Sequence, residues 1–241
     1  MSYIFDDDYN IPCLSSSHLF PNPRYSADEG LLAFGGDLSP IRILKAYRQG
    51  IFPWFNNDDP ILWWSPNPRM ILYPEDFKVN KSFKRFLRQE RYQIKFDKSF
   101  KDVINYCGSV DRNGQNGTWL MDDMKNAYIK LFKMGFAHSV EVYEDNILVG
   151  GLYGLSIGRI FFGESMFSLK SNASKVAFKA LSDTLSLRGY NFIDCQVQND
   201  YLAQMGAKNI DRDRFLCELE ESFTHSSDIS SWDNFRWKYK D

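Results

Sequence analysis

The stretch from His138 to Leu219 most constrains what this chain can fold into. His138 to Tyr143 alternates as a strand, and Ile147 to Tyr153 and Arg159 to Phe167 read as two more. Ser156, Ile157 and Gly158 are the expected turn between the last two. A helix follows, with Asn172 as its cap. Val176, Ala177, Ala180, Leu181 and Leu185 lie on one face and Gly189 at its end. Phe192 to Val197 is a buried-type strand, Tyr201 to Met205 a short helix, and a last strand is expected near Arg214 to Leu219. The order β-β-β-α-β-α-β points to a mixed sheet with helices against it, an α+β arrangement.

The text before this stretch is of another kind. Phe20 to Pro74 is dense in Pro, Gly and Trp, with a helix expected where Ile43, Leu44 and Tyr47 share a face between Pro40 and Gly50. Residues 1–75 are read as a small N-terminal module with a loose start, ahead of a larger domain over 76–241. Asn80 is placed to cap a helix from Lys81, with Phe83, Phe86 and Leu87 as its apolar face. A second helix is expected from Asp122 to Met134, stopped by Gly135.

Hydrophobic residues make up 44% of the 241, enough for a packed core. The formal net charge is −2, so a nucleic-acid partner would have to bind a local basic patch. Lys78 to Lys101 offers one: Lys78, Lys81, Lys84, Arg85, Arg88, Arg91, Lys95, Lys98 and Lys101 stand against Glu90 and Asp97. Cys13, Cys107, Cys195 and Cys217 form no CxxC pair, which argues against zinc and for reduced thiols. No apolar run is long enough to span a membrane, and Asp6, Asp7 and Asp8 are unlike a signal peptide.

Covalent triad chemistry needs a histidine base beside its nucleophile. Of His18, His138 and His225, only His138 sits in an ordered element, and it reads as structural. Acyl transfer from coenzyme A would need a glycine-rich turn before the helix, and Ser168 to Ala173 holds no glycine. Glu164 ends an apolar strand. In Phe192 to Asp200, Asp194 and Gln196 are spaced to share one face of a strand. A charged Asp there must be paired or used; a structural and a functional role are equally open. Trp54, Trp63, Trp64 and Trp119 lie in loop-like text, where core is the better reading and base stacking the alternative.

The strings GLLAFGGDLSP, YRQGIFPWF, ILWWSPNPR, GTWL, AHSVEVY, LVGGLYGLSIGRIFFGESMFS, NASK and IDCQVQN together resemble the bacterial leucyl/phenylalanyl-tRNA–protein transferases, from about Phe20 to Leu219. The resemblance implies a small N-terminal domain and a C-terminal acetyltransferase-like (GNAT-like) mixed sheet with flanking helices. It implies transfer of Leu or Phe, with Met as a further donor residue, from aminoacyl-tRNA to proteins beginning with Arg or Lys. The product is marked for N-end-rule proteolysis. No metal, coenzyme A or other cofactor is expected, and the enzyme is expected to be a cytoplasmic monomer without a membrane partner.

By position, Asp194 and Gln196 match the catalytic pair that handles the attacking amine. Glu164, Asn199, Trp54 and Trp119 match residues at the aminoacyl end of the tRNA. Leu152, Phe161, Met166, Phe178, Leu181, Leu185 and Ile193 match the side-chain pocket. Lys81, Lys84, Arg85 and Arg88 are the candidates for tRNA phosphates. The chain departs from the family pattern at Tyr201, Gln204, Met205 and Asp211.

Overall fold

The computed structural model describes residues 11–15, 19–27, 29–109 and 120–240. The N-terminal part contains β1 (Cys13–Leu14), β2 (Leu31–Gly35), α1 (Pro40–Tyr47), β3 (Phe52–Pro53) and β4 (Leu62–Trp64). These strands form a four-stranded sheet in the order β1-β2-β4-β3. Ser39 begins α1 by accepting from the Arg42 N–H, and Pro40 supplies the fixed φ of the first turn.

The chain continues through β5 (Arg69–Leu72), α2 (Lys81–Leu87), β6 (Gln93–Phe96), α3 (Phe100–Ser109) and α4 (Asp122–Lys133). Asn80 caps α2 through the Phe83 N–H at 2.9 Å. Then come β7 (Ala137–Glu144), β8 (Ile147–Ile157), β9 (Ile160–Ser168), α5 (Ala173–Leu187), β10 (Phe192–Gln196), α6 (Asp200–Ala203), β11 (Lys208–Ile210) and α7 (Arg212–Ser222). The large sheet is mixed, in the order β11-β5-β10-β9-β8-β7-β6. Strand β5 precedes residue 75 yet belongs to this sheet, paired with both β10 and β11.

Two apolar clusters cover the sheet. One joins α1, α3, α4 and α7 to the small sheet. The other holds α2, α5 and Trp232 of the C-terminal tail. Being covered on both faces explains why β8 and β9 read as near-continuous apolar runs. Gly154 of β8 is required by crowding: a Cβ there would sit 2.1 Å from the Phe162 carbonyl oxygen.

Four local expectations are corrected. Arg214 to Leu219 is helical, inside α7, because Phe215, Leu216 and Leu219 bury one helix face at spacings of one and four; the last strand is the shorter β11. Asn172 precedes α5 in the left-handed conformation (φ 62°) and makes no side-chain cap bond. The β8–β9 turn is tighter than expected, since β8 runs through Ile157 and leaves Gly158 and Arg159 to turn. Gln196 has φ 64°, and the β5–β10 register shifts between Asp194 and Gln196, so strict strand alternation ends at Asp194.

Candidate active site

Strand β10 places a charge in the core. Asp194 is fully buried, and its carboxylate accepts from Arg69 Nε at 2.8 Å and Nη2 at 2.6 Å. Arg69 is equally buried, donates from Nη1 to the Gly50 carbonyl at 3.1 Å, and lies between the rings of Phe52 and Phe215. A bidentate pair is what makes two buried charges tolerable. Asp194 Oδ1 also accepts the Gln196 N–H at 2.9 Å. That bond holds Gln196 in its left-handed turn and sends its side chain back toward β9.

There Gln196 Nε2 donates to Glu164 Oε1 at 3.0 Å. This fixes which end of the amide is which and leaves the Gln196 carbonyl oxygen to accept from an incoming group. Tyr47 of α1 donates to Glu164 Oε1 and Tyr128 of α4 to Oε2, each at 2.6 Å. The two hydroxyls are themselves 2.7 Å apart. Three close oxygen contacts need three protons. With Glu164 ionised both hydroxyls donate to it and their mutual contact carries no proton; with Glu164 protonated it donates to one tyrosine, which turns to donate to the other. Burial, aided by the negative charge of Asp194 and opposed by the two hydroxyls, moves the Glu164 carboxyl up to about 7. Tyr47 and Tyr128 are pushed well up by burial and by Glu164, so both remain hydroxyls.

Asp194, Gln196 and Glu164 border a cavity of about 590 Å³. Leu152, Phe161, Met166, Phe178, Leu181 and Ile193 line its apolar side. Leu185, the seventh residue of the expected pocket, is buried in the core with α5 and does not line the cavity. Trp54 is 39% exposed, tilted against Trp64, and borders the cavity. Trp63 and Trp64 are core. Trp119 lies outside the described residues. Asn199 borders the cavity while its side chain caps α6 through the Leu202 N–H at 3.1 Å. On α2, Lys81, Arg85 and Arg88 are exposed and Lys84 half-buried, opposite the buried Phe83 and Leu87.

Of the departures from the family pattern, Tyr201 borders the cavity with its hydroxyl 3.3 Å from that of Ser174, and Met205 is core. Asp211 stands before α7 without a side-chain cap bond. Cys195 also borders the cavity, but burial pushes its thiol up, which disfavours a thiolate nucleophile. His138 is buried against Asp97, Nδ1 to Oδ2 2.8 Å, and stacked on Trp232, a structural arrangement. Among the described residues no group of three or more His, Cys, Asp or Glu could hold a metal ion, and no helix is long and apolar enough to cross a membrane.

Sequence reading missed Arg69, Tyr47 and Tyr128. Arg69 had a usable signal: a buried Asp in an apolar strand implies a cation somewhere in the fold. The tyrosines had none, because Tyr47 satisfied the apolar face of α1 and its hydroxyl leaves no mark on periodicity.

The sequence of the chain as a whole matches known proteins. A family model described as leucyl/phenylalanyl-tRNA protein transferase covers residues 71–220, and one described as the N-terminal domain of that transferase covers 36–67. A leucyl/phenylalanyl-tRNA–protein transferase of Nitrosospira multiformis is 50% identical over 92% of this chain and 96% of its own. Those of Dechloromonas aromatica (47%, over 92% and 96%) and Flavobacterium johnsoniae (46%, over 91% and 99%) are similar.

Among solved structures, an aminoglycoside acetyltransferase from a soil metagenomic sample has TM-score 0.35 and 12% identity, over 63% of this chain and 97% of its own. L-PGS from Bacillus licheniformis has TM-score 0.37 and 11% identity, over 62% and 47%. Neither likeness bears on the chemistry. The sequence matches define the class, an aminoacyltransferase. The chain belongs to the leucyl/phenylalanyl-tRNA protein transferase family.

Proposed function

We propose that this chain transfers leucine or phenylalanine from aminoacyl-tRNA to the N-terminal Arg or Lys of acceptor proteins, as a cytoplasmic monomer, and so marks them for N-end-rule proteolysis. The observation that carries the reading is the apolar cavity ending at Glu164 and Gln196, with Trp54 at its border. The side chain of the donor residue fills the apolar end, and Trp54 stacks on the terminal adenosine.

An aminoacyl ester is already activated, so alignment and removal of one proton suffice. The acceptor amine attacks the ester carbonyl carbon, a C–N bond forms, and the bond to the ribose oxygen breaks. The Gln196 carbonyl oxygen accepts an N–H of the amine and points its lone pair at the carbonyl. Glu164 takes the amine proton, which completes the proton count of its ring with Tyr47 and Tyr128. Glu164 then gives that proton to the departing ribose oxygen, which leaves as a hydroxyl, and the carboxylate is restored. A free α-amino group has a pKa of about 8, and a carboxylate near 7 is well matched to it. Asp194 meets no substrate in this scheme. Its oxygens are held by Arg69 and the Gln196 N–H, so it is a positioning residue for Gln196.

The direct test offers labelled Leu-tRNA to one protein beginning with Arg and to the same protein beginning with Ala. Transfer to Arg alone is expected; transfer to neither, with tRNA bound, would leave a binding module. The pocket has its own test. Met166 is half-buried, so Met166→Ala widens the cavity with little harm to the core. The ratio of kcat/KM for Phe-tRNA over Leu-tRNA should then rise by about tenfold or more, the value of one or two methylenes in such a pocket. An unchanged ratio would remove Met166 from donor selection.

A further inference from the structure

The C-terminal tail, beyond residues 71–220 matched by the family model, alternates strictly: Phe235, Trp237 and Tyr239 are half-buried, and Arg236, Lys238 and Lys240 are exposed. The inward set is anchored. Phe235 stacks on the fully buried Trp232 at 5.3 Å and meets Phe96 edge-on at 5.8 Å. Trp237 Nε1 donates to Asp183 of α5 at 2.9 Å. Lys238 and Lys240 therefore stand on the outer side of a fixed strip, and Arg236, also exposed, is held there by donating from Nη1 to the Asp233 and Phe235 carbonyls at 3.1 and 2.7 Å.

That strip borders a groove of about 580 Å³ formed with Glu90, Arg91 and Tyr92 just after the basic helix α2. Acids are present there, Asp145 and Glu90, and Lys238 pairs with Glu90 at 2.9 Å. Both ends of that pair are mostly exposed (72% and 55%), so it is weakly held and open to competition from phosphate. The groove also lies near the active cavity: in the first turn of α5, Ser174 borders the cavity and Val176 the groove. Lys175, between them, sits over the Phe83 ring of α2.

We propose that Arg236, Lys238 and Lys240, with Arg91, extend the basic face of α2 into one surface for the phosphate backbone of the donor tRNA's acceptor arm. The alternation leaves the three cations on the outer side of the tail, where a phosphate backbone can approach them. An RNA whose 3′ end enters the cavity has its helical arm within reach of this strip. The proposal rests on the transferase reading above.

The test measures aminoacyl-tRNA binding against salt for the wild type, for R236Q/K238Q/K240Q, and for R236Q/K240Q, which keeps the Lys238–Glu90 pair. All three positions are exposed, and thermal unfolding checks that the fold is kept. The triple variant should bind about ten- to a hundredfold more weakly at low salt, and the slope of log affinity against log salt should shrink by about 2. R236Q/K240Q should lose about two thirds of that. Equal slopes in all three proteins would overturn the proposal while leaving the transferase reading intact. A wild type that binds no aminoacyl-tRNA at any salt concentration would overturn both.

Discussion

Asp194→Ala is expected to destabilise the protein by about 3–5 kcal/mol, because it leaves Arg69 buried and unpaired. A urea midpoint at constant slope measures this. The same substitution should lower transfer by about a hundredfold, since the Gln196 N–H loses its acceptor and the turn that aims its side chain relaxes. Instability alone could also abolish activity, so the informative protein is Arg69→Met with Asp194→Leu. Two apolar residues of similar volume should recover most of the stability. Transfer should stay low, because nothing restores the Gln196 turn. If the double variant recovered transfer along with stability, Asp194 would be a structural residue only.

The pair also shows where sequence reading stops. Strand β10 and the cost of Asp194 were legible, because a charge in an apolar run stands out. Its partner was not, because Arg69 lies 125 residues away in Pro-rich text that reads as loop, and β5 is only four residues long. Short elements fail for the same reason: α7 was read as a strand from six residues, a window in which helical and strand spacings overlap. Long elements with caps and stops, such as α4 and its Gly135, were placed closely. For the site, the resemblance brought Glu164, Gln196 and six of seven pocket residues to one cavity. The Tyr47–Glu164–Tyr128 ring joins three elements that only the tertiary fold brings together. Tyr201, flagged as a departure, does border the cavity, and its neighbour Ser174 was not anticipated.

Glu164→Gln separates proton transfer from shape. Gln keeps the length and one acceptor oxygen but cannot take a proton, so transfer should fall by about 10²–10⁴-fold at pH 7.5 with donor binding largely kept. The pH profile is the sharper readout. Wild-type kcat/KM should rise through an inflection near the Glu164 value of about 7, because the ionised form is the proton acceptor. The variant should lack that inflection and keep only the rise near 8 from the amine.

Stability gives an independent check with a fixed sign. The folded carboxyl titrates above its unfolded value of 4.5, so folding favours the protonated form. Its contribution is fully present below pH 4.5 and is lost as pH rises through about 7. Each pH unit between the unfolded and folded titrations is worth about 1.4 kcal/mol, so the stability of Glu164→Gln relative to wild type should climb by about 3 kcal/mol across that window. A flat difference curve would mean that Glu164 is solvated and ordinary. An inflection near 7 that survived in the variant would assign the proton to another group, and the ring of hydroxyls around Glu164 would then serve packing rather than chemistry.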